Sequence, residues 1–505
     1  MSTTREASII FEQPTQDVEA ARHHEQAAAE NLAATMAAMR ALTAVLDGAS
    51  SHDKILLRAA AGAGKSYALV KMVTEALAHA RCERIGITAF ANKQVFPLAE
   101  AVGREVGADR VCLFVSKAQL PKLSDTVRRQ VTIATSTSDI PPDARVVLAT
   151  SHKFGFRGEL KRLQKHLGPS SNGERPFDVL MVDEAWQLPL HRFTTIESLA
   201  PVAVGVGDVG QLPPIDPSQN PWRGDPGYNP YRAWPTAYQG LPSTFAIDLP
   251  AVWRPCSAQL ALWRAFYDDW ERLDCVAAPG DQTVQLPQLV GAAQSVWNSV
   301  ATGVPTLLEV DGLEDPEAPD VDQPLLGVIE TLLDDLLAGG FTITSRRYDG
   351  RGVPNDVTET TSKESTSDPL IVVLATRNQA VDDATDMVER LVEKHALAEG
   401  VLVASTVDSW QGQTNAITVA LHPLSGAGRL DDFNSAFGRL AVTCTRATHG
   451  LLLVARAGLD ELLSTAPPRQ GTPFGEPGTR SLPRQTHQRI LATFARGTLS
   501  YDMRG

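Results

Sequence analysis

Lys65 and Ser66 close a run of small residues, AAAGAGKS (59–66), while Asp183 and Glu184 close an apolar run, VLMVDE (179–184). A cation and a hydroxyl on one loop, with paired carboxylates on another, are the parts phosphoryl chemistry needs. Small residues at Ala61, Gly62, Ala63 and Gly64 let backbone N–H groups turn onto phosphate oxygens, and a helix starting at Lys65 adds its positive dipole end. Lys65 would then reach the β- and γ-phosphates, and the Ser66 hydroxyl would ligate Mg²⁺. Asp183 would hold the same ion through water, and Glu184 would orient and deprotonate the attacking water. Tyr67, next after the loop, completes the candidate nucleotide contacts. The pattern predicts nucleotide hydrolysis, although Ala59 stands where the usual phosphate loop has its first glycine.

The elements that must carry these residues are strands feeding helices. ILLRA (55–59) reads as a buried strand, and KSYALVKMVTEAL (65–77) as the helix after the loop. Further apolar runs, RIGITA, RVVLAT, VLMVDE and VAVGVGD, recur at crossover-length spacing, which implies a parallel sheet covered by helices. A second series, IVVLAT (371–376), VLVASTV (401–407), AITVAL (416–421) and LLLVAR (451–456), predicts a second α/β domain. Such strands deliver ligand-binding residues at their C-terminal edges.

Six segments follow. Residues 1–50 read as a helical N-terminal segment, because 17–47 are Ala-rich without Gly or Pro. Residues 51–245 make the first α/β domain, 246–275 a connecting segment that turns helical after Pro255, and 366–465 the second α/β domain. Residues 276–365, with the acidic stretch 309–322 and the polar run 357–368, read as an accessory insertion. Residues 466–505 read as a basic Pro/Gly-rich tail, six arginines standing against Glu476 and Asp502.

Composition narrows the possibilities. A hydrophobic content of 43% with 21% charged residues fits a globular chain, and no uncharged apolar run reaches spanning length. With no apolar leader in MSTTREASIIFEQPTQD, the expected location is the cytoplasm. Five scattered cysteines, without a C-x-x-C pair, read as free thiols rather than zinc ligands. The net charge of −13 excludes nucleic-acid binding by bulk electrostatics, but leaves room for a locally basic channel, since exposed charges beyond about 10 Å are largely screened.

The order of motifs resembles that of the superfamily 1 helicases, over roughly 55–260 and 370–456. In that family the phosphate loop often begins with alanine, as A-x-A-G-x-G-K-[ST], and Ala59–Ser66 fits. ITAFANKQV (87–95) and LATSHKF (148–154) resemble its strand-contact motifs, GDVGQLPPI (207–215) its G-D-x-x-Q-L-P-P signature, and LPAVWRP (249–255) its arginine-bearing segment. STVDSWQGQ (405–413) and RLAVTCTRATHGLLLV (439–454) resemble its last two motifs. The resemblance implies two RecA-like P-loop domains in tandem, with ATP and Mg²⁺ as cofactors. It implies Gln211 and Arg254 as sensors of the γ-phosphate, Arg446 as arginine finger and Gly412 as a nucleotide contact. Thr88, Asn92, Ser151, His152 and Ser409 would touch a nucleic-acid backbone, with Phe90 or Trp410 as stacking platforms.

The motifs look most like the RecD-like and nonsense-mediated-decay branch, whose members generally move 5′ to 3′. The implied activity is an ATP-dependent DNA helicase or single-strand translocase, acting on single-stranded or tailed DNA. An RNA helicase of the same family, and a nucleotide-switched protein-binding ATPase without unwinding, are the alternatives. Two positions depart from the family. No glutamine lies between Gln26 and Lys65 to read adenine, and Thr414 stands where an acidic residue is usual.

Overall fold

The computed structural model describes residues 8–15, 20–171, 173–214, 220–221, 228–318, 321–431, 434–466 and 483–501. They fall into two compact units, one built on Glu30–Pro250 and the other on residues from Ala251 onward together with those before Glu30.

The first unit holds eight strands: β1 (Lys54–Ala59), β2 (Ile85–Ala89), β3 (Val111–Phe114), β4 (Thr132–Ala134), β5 (Val146–Thr150), β6 (Val179–Asp183), β7 (Val202–Asp208) and β8 (Thr244–Leu249). They form one sheet in the order β4-β3-β5-β2-β6-β7-β1-β8, and every pairing is parallel. Parallel sheets covered on both faces need continuous apolar strands, and β2, β6 and β7 are buried along their whole length. Register then places the chemistry. Ala59 pairs with Asp208 and Asp183 with Val206, so the C-terminal ends of β1, β6 and β7 lie side by side.

Glycine lets that edge be tight at one point. A Cβ on Gly207 would meet the Ala185 nitrogen and a Trp186 ring carbon, each at 2.8 Å. The β7 backbone therefore passes directly beneath the turn that follows Glu184.

The second unit has two short parallel strands, β9 (Ala251–Val252) and β10 (Asp274–Cys275). Strands β11 (Gln282–Gln285), β13 (Thr342–Tyr348) and β14 (Pro354–Thr361) form an antiparallel sheet in the order β11-β13-β14. Its main sheet contains β12 (Thr306–Asp311), β15 (Ile371–Ala375), β16 (Leu402–Thr406), β17 (Asn415–Leu421), β18 (Ala447–Arg456) and β19 (Ala495–Ser500). The order is β16-β15-β17-β18-β12-β19, again with every pairing parallel. The chain is thus an α/β protein with two large parallel sheets, one in each unit.

The segment boundaries differ from the sequence reading in three places. Residues 276–365 are not one insertion: β12 lies inside the main sheet, and helices Gly291–Ala301 and Gln323–Gly339 bury Val296, Trp297, Leu325, Ile329 and Leu333 in the same core as Ile371 and Val419. Strands β11, β13 and β14 form a separate sheet, with Ile343 of β13 reaching into the same core. The acidic stretch beginning at Glu309 masked β12, whose Leu307 and Leu308 are fully buried.

Residues 483–501 are part of the second unit's fold, helical at first as their sequence suggests and then a strand. Helix Pro483–Leu491 precedes β19, which pairs with β12, and Arg496 is neutralised by Glu309 and Asp460 at 2.7 and 2.9 Å. The Pro/Gly-rich stretch 467–482 lies outside the described residues. In the connecting segment, β8 runs past 245 to Leu249, and the helix after Pro255 is short, Leu260–Phe266. Toward the N-terminus the helix is His24–Leu46.

Candidate nucleotide site and nucleic-acid face

β1 ends at Ala59 in extended backbone, a conformation open to any residue, so alanine costs nothing where glycine is usual. The left-handed positions come later. Gly62 has φ 73° and Gly64 φ 88°, and a side chain there would strain the loop by about 1 kcal/mol or more. Gly64 caps helix Lys65–Ala78, and Asn31, buried on helix His24–Leu46, donates its Nδ2 to the Ala63 carbonyl at 2.9 Å.

Three acidic groups converge on Lys65. Its Nζ lies 3.1 Å from Glu184 Oε1 and 3.8 Å from Asp208 Oδ2, and the Asp208 side chain has no exposed surface. Burial by itself favours the neutral amine, but Glu184, Asp208 and Asp183 outweigh it and raise the Lys65 pKa. Lys65 is therefore held as a cation.

Asp183 moves the other way from an ordinary carboxylate. Burial first, and the neighbouring Glu184 charge second, push it up to about 7, against the opposing pull of Lys65. Its Oδ1 is buried and lacks a hydrogen-bond partner among the described residues. A buried, partnerless carboxylate oxygen beside a phosphate loop suits a divalent cation, and Ser66 stands exposed at the start of the neighbouring helix. The residues present thus fit Mg²⁺.

Glu184 follows β6 in a left-handed backbone conformation, φ 49° and ψ 47°, which is unusual for a residue bearing a Cβ. That turn aims its carboxylate back at Lys65. Gln211 is buried, donates its Nε2 to Asp208 Oδ2 at 2.6 Å, and joins the same cluster. Gly210 N also donates to Asp208, at 2.8 Å.

Lys65, Asp183, Glu184 and Gln211 are thereby brought together. Tyr67 is exposed and lies under the Lys71 ammonium at 5.5 Å. Sequence reasoning overlooked Asp208 as a site residue, although it stands inside the quoted GDVGQLPPI, whose Ile215 lies outside the described residues. It also overlooked Gln94 and Gln187, whose signals are their places three residues after Ala91 and after Glu184.

The expected nucleic-acid contacts divide. Phe90 and His152 pack edge to face, with ring centroids 5.4 Å apart, and Asn92 begins helix Asn92–Val106. These three lie at the C-terminal ends of β2 and β5, accessible in whole or part. Thr88 and Ser151 do not. Thr88 sits inside β2, which is buried throughout, and Ser151 is 1% exposed under the turn after β5. Neither side chain can face a strand in this conformation. Residues 153–166, KFGFRGELKRLQKH, are locally basic; Lys153 lies over the Phe114 ring at 4.0 Å and donates to the Thr135 carbonyl, while Arg162 pairs with Glu159.

In the second unit, Ser409 and Gly412 are exposed, Gly412 with φ 88°. Trp410 is half-buried and donates its Nε1 to Asn415 Oδ1 at 3.0 Å, so it packs against its own sheet rather than standing free as a platform. Arg254 donates to Thr414 Oγ1 at 3.1 Å and to the Thr445 carbonyl at 3.0 Å. Thr414 thus fills its departure from the family pattern by holding an arginine. Arg446 is 1% exposed and donates to the Val442 carbonyl, the Gln413 carbonyl and Thr445 Oγ1. In this conformation it is a buried arginine, not an extended finger. All five cysteines are buried and free.

Among the described residues no helix is long and apolar enough to cross a membrane. No curated protein matches the chain. Among solved structures it is similar to arterivirus nonstructural protein 10, a helicase, with TM-score 0.37 and 14% identity over 82% of this chain and 61% of that one. It is similar to the complex of that helicase with DNA, at 0.37 and 15% over 82% and 63%. It is also similar to the DUF1998 helicase MrfA bound to DNA, at 0.41 and 9% over 91% and 52%. The chain spans less than two thirds of the length of each, and these distant likenesses carry no conclusion below. Residues 42–217, the segment with the phosphate loop, the acidic strand end and Gln211, match the model of an AAA domain. That match takes in β1 to β7 of the first unit.

Proposed function

We propose that the chain is an ATP-dependent nucleic-acid helicase or single-strand translocase, acting on single-stranded or tailed DNA and moving 5′ to 3′. The observation that carries this reading is the convergence of Lys65, Glu184 and Asp208 within 4 Å at the adjoining ends of β1, β6 and β7. ATP with Mg²⁺ would supply the labile phosphoanhydride bond and a Lewis acid that neutralises charge developing on the phosphoryl oxygens.

The chain's own residues do the rest. The left-handed glycines turn backbone N–H groups into the loop, and Lys65 gives up carboxylate contacts for phosphate ones. Ser66 and Asp183 hold the cation, while Glu184, released from Lys65, takes the proton of the attacking water. Gln211, seated on Asp208, is placed to sense the terminal phosphate. Arg254 and Arg446 serve the phosphoryl transfer from the segment around Thr445, which both now grip. Partly exposed Phe90 and Asn92 and exposed His152, with Ser409 of the second unit, offer polar and aromatic contacts to a strand.

Duplexes with a single-stranded tail at one end test the proposal. The protein with ATP and Mg²⁺ should separate the 5′-tailed duplex and leave the 3′-tailed one paired. Separation of the 3′-tailed duplex alone contradicts the direction, and action on neither contradicts the unwinding.

A further inference from the structure

Glu184 is held from two sides. Lys65 takes Oε1, and Gln187 donates its Nε2 to Oε2 at 3.2 Å. Gln187 in turn accepts, through Oε1, from Gln94 Nε2 at 2.8 Å, and Gln94 Oε1 accepts from the Ala91 backbone N–H at 2.9 Å. The polarity of this chain is fixed at both ends. A backbone N–H can only donate and a carboxylate can only accept, so each amide has one satisfactory orientation.

The relay starts at a particular place. Ala91 lies between Phe90 and Asn92, in the turn that leaves β2, and Phe90 leans on His152. Those are the residues that remain accessible once Thr88 and Ser151 are found buried. Moving the turn moves the Ala91 N–H, and with it Gln94, Gln187 and the Glu184 carboxylate.

We propose that Gln94 and Gln187 are positioning residues that couple a nucleic-acid backbone lying on the Phe90–Asn92 turn to the orientation of Glu184. The inference rests on the functional reading above and goes beyond it by naming the route of strand stimulation. An unengaged turn leaves Glu184 on Lys65, where it cannot serve as base. A strand that shifts the turn draws Glu184 through Gln187 toward the position of the attacking water. Lys65 is left to the phosphates.

The test measures phosphate release with and without oligo-dT for the wild type, Gln94→Ala, Gln187→Ala and the double variant. Gln94 and Gln187 are both partly exposed, and thermal melting checks that each variant keeps the fold. Stimulation by oligo-dT should fall about tenfold in each single variant, the size of an ordinary coupling between sites. The KM for ATP and oligo-dT affinity should stay within about twofold, and unstimulated turnover should fall far less than stimulated turnover. The double variant should lose no more than either single one, because the two act in series. Full stimulation in Gln94→Ala overturns the inference, as does an equal loss of stimulated and unstimulated turnover. An unstimulated wild type fails earlier, against the functional reading itself.

Discussion

Lys65 Nζ sits 3.1 Å from Glu184 Oε1, so the residue proposed to bind phosphate and the residue proposed as base neutralise each other. Asp208 Oδ2, at 3.8 Å, holds the same ammonium from the other side. In the proposed mechanism a bound triphosphate breaks the first contact, and Glu184 then acts. On that reading one ion pair holds the site inactive, and its two members have separable effects.

Replacing Lys65 by Ala removes the phosphate contact and leaves Asp183, Glu184 and Asp208 facing one another without a cation. Nucleotide binding and turnover should both fall, turnover by about 100-fold or more. Replacing Glu184 by Gln keeps the partner for Gln187 but removes the base. That variant should bind nucleotide with near-normal affinity and lose about 100-fold or more in turnover. Equilibrium binding of a fluorescent ATP analogue beside steady-state phosphate release separates the two; equal loss of binding in both contradicts the division of roles.

Arg446 and Arg254 both bond to Thr445, one through its hydroxyl and the other through its carbonyl. The Arg446→Lys variant keeps the charge but cannot reproduce the three-way bonding. Its kcat should drop by about 100-fold or more with little change in nucleotide affinity, as expected for charge stabilisation confined to the transition state. An unchanged melting temperature is required for that comparison. A loss confined to affinity would remove the assignment.

Acid should weaken the second unit. Burial, with His487 and Arg496 nearby, lowers the His422 pKa to about 3, and burial lowers His449 and His487 to about 4 each. These imidazoles stay neutral in the fold but take up protons when unfolded below about pH 6.5. Their contribution is complete above that pH and is lost as pH falls toward 4, by up to roughly 1.4 kcal/mol per pH unit for each group. Urea melts at pH 7.5, 6 and 5 should show falling stability, with a shallower slope in His422→Gln. Stability that rises on acidification contradicts the buried neutral state.

The strands nearest the site were readable because burial on both faces of a parallel sheet forces unbroken apolar runs such as VLMVD and VAVGVGD. β12 and β19 were missed for opposite reasons. β12 ends in Glu309 and Asp311 and merges with an acidic loop, while β19, ARGTLS, is an edge strand buried only at alternate residues. That Lys65 and Glu184 would meet was legible because each follows a strand of one parallel sheet at the same edge. Thr88 and Ser151 were misplaced because a motif tells which strand end a residue occupies, not which way its side chain faces. Gln94 and Gln187 each carry a local signal, but the bond that joins them across 93 residues is set by tertiary contact and was not legible.

Phosphate release by the purified protein, across a titration of oligo-dT and of poly-U, bears most directly on the proposed engine. Turnover should climb several-fold and saturate with strand, and Lys65→Ala should stay flat at every concentration. Turnover indifferent to either polymer, or undiminished in Lys65→Ala, would contradict a strand-driven motor powered from this loop.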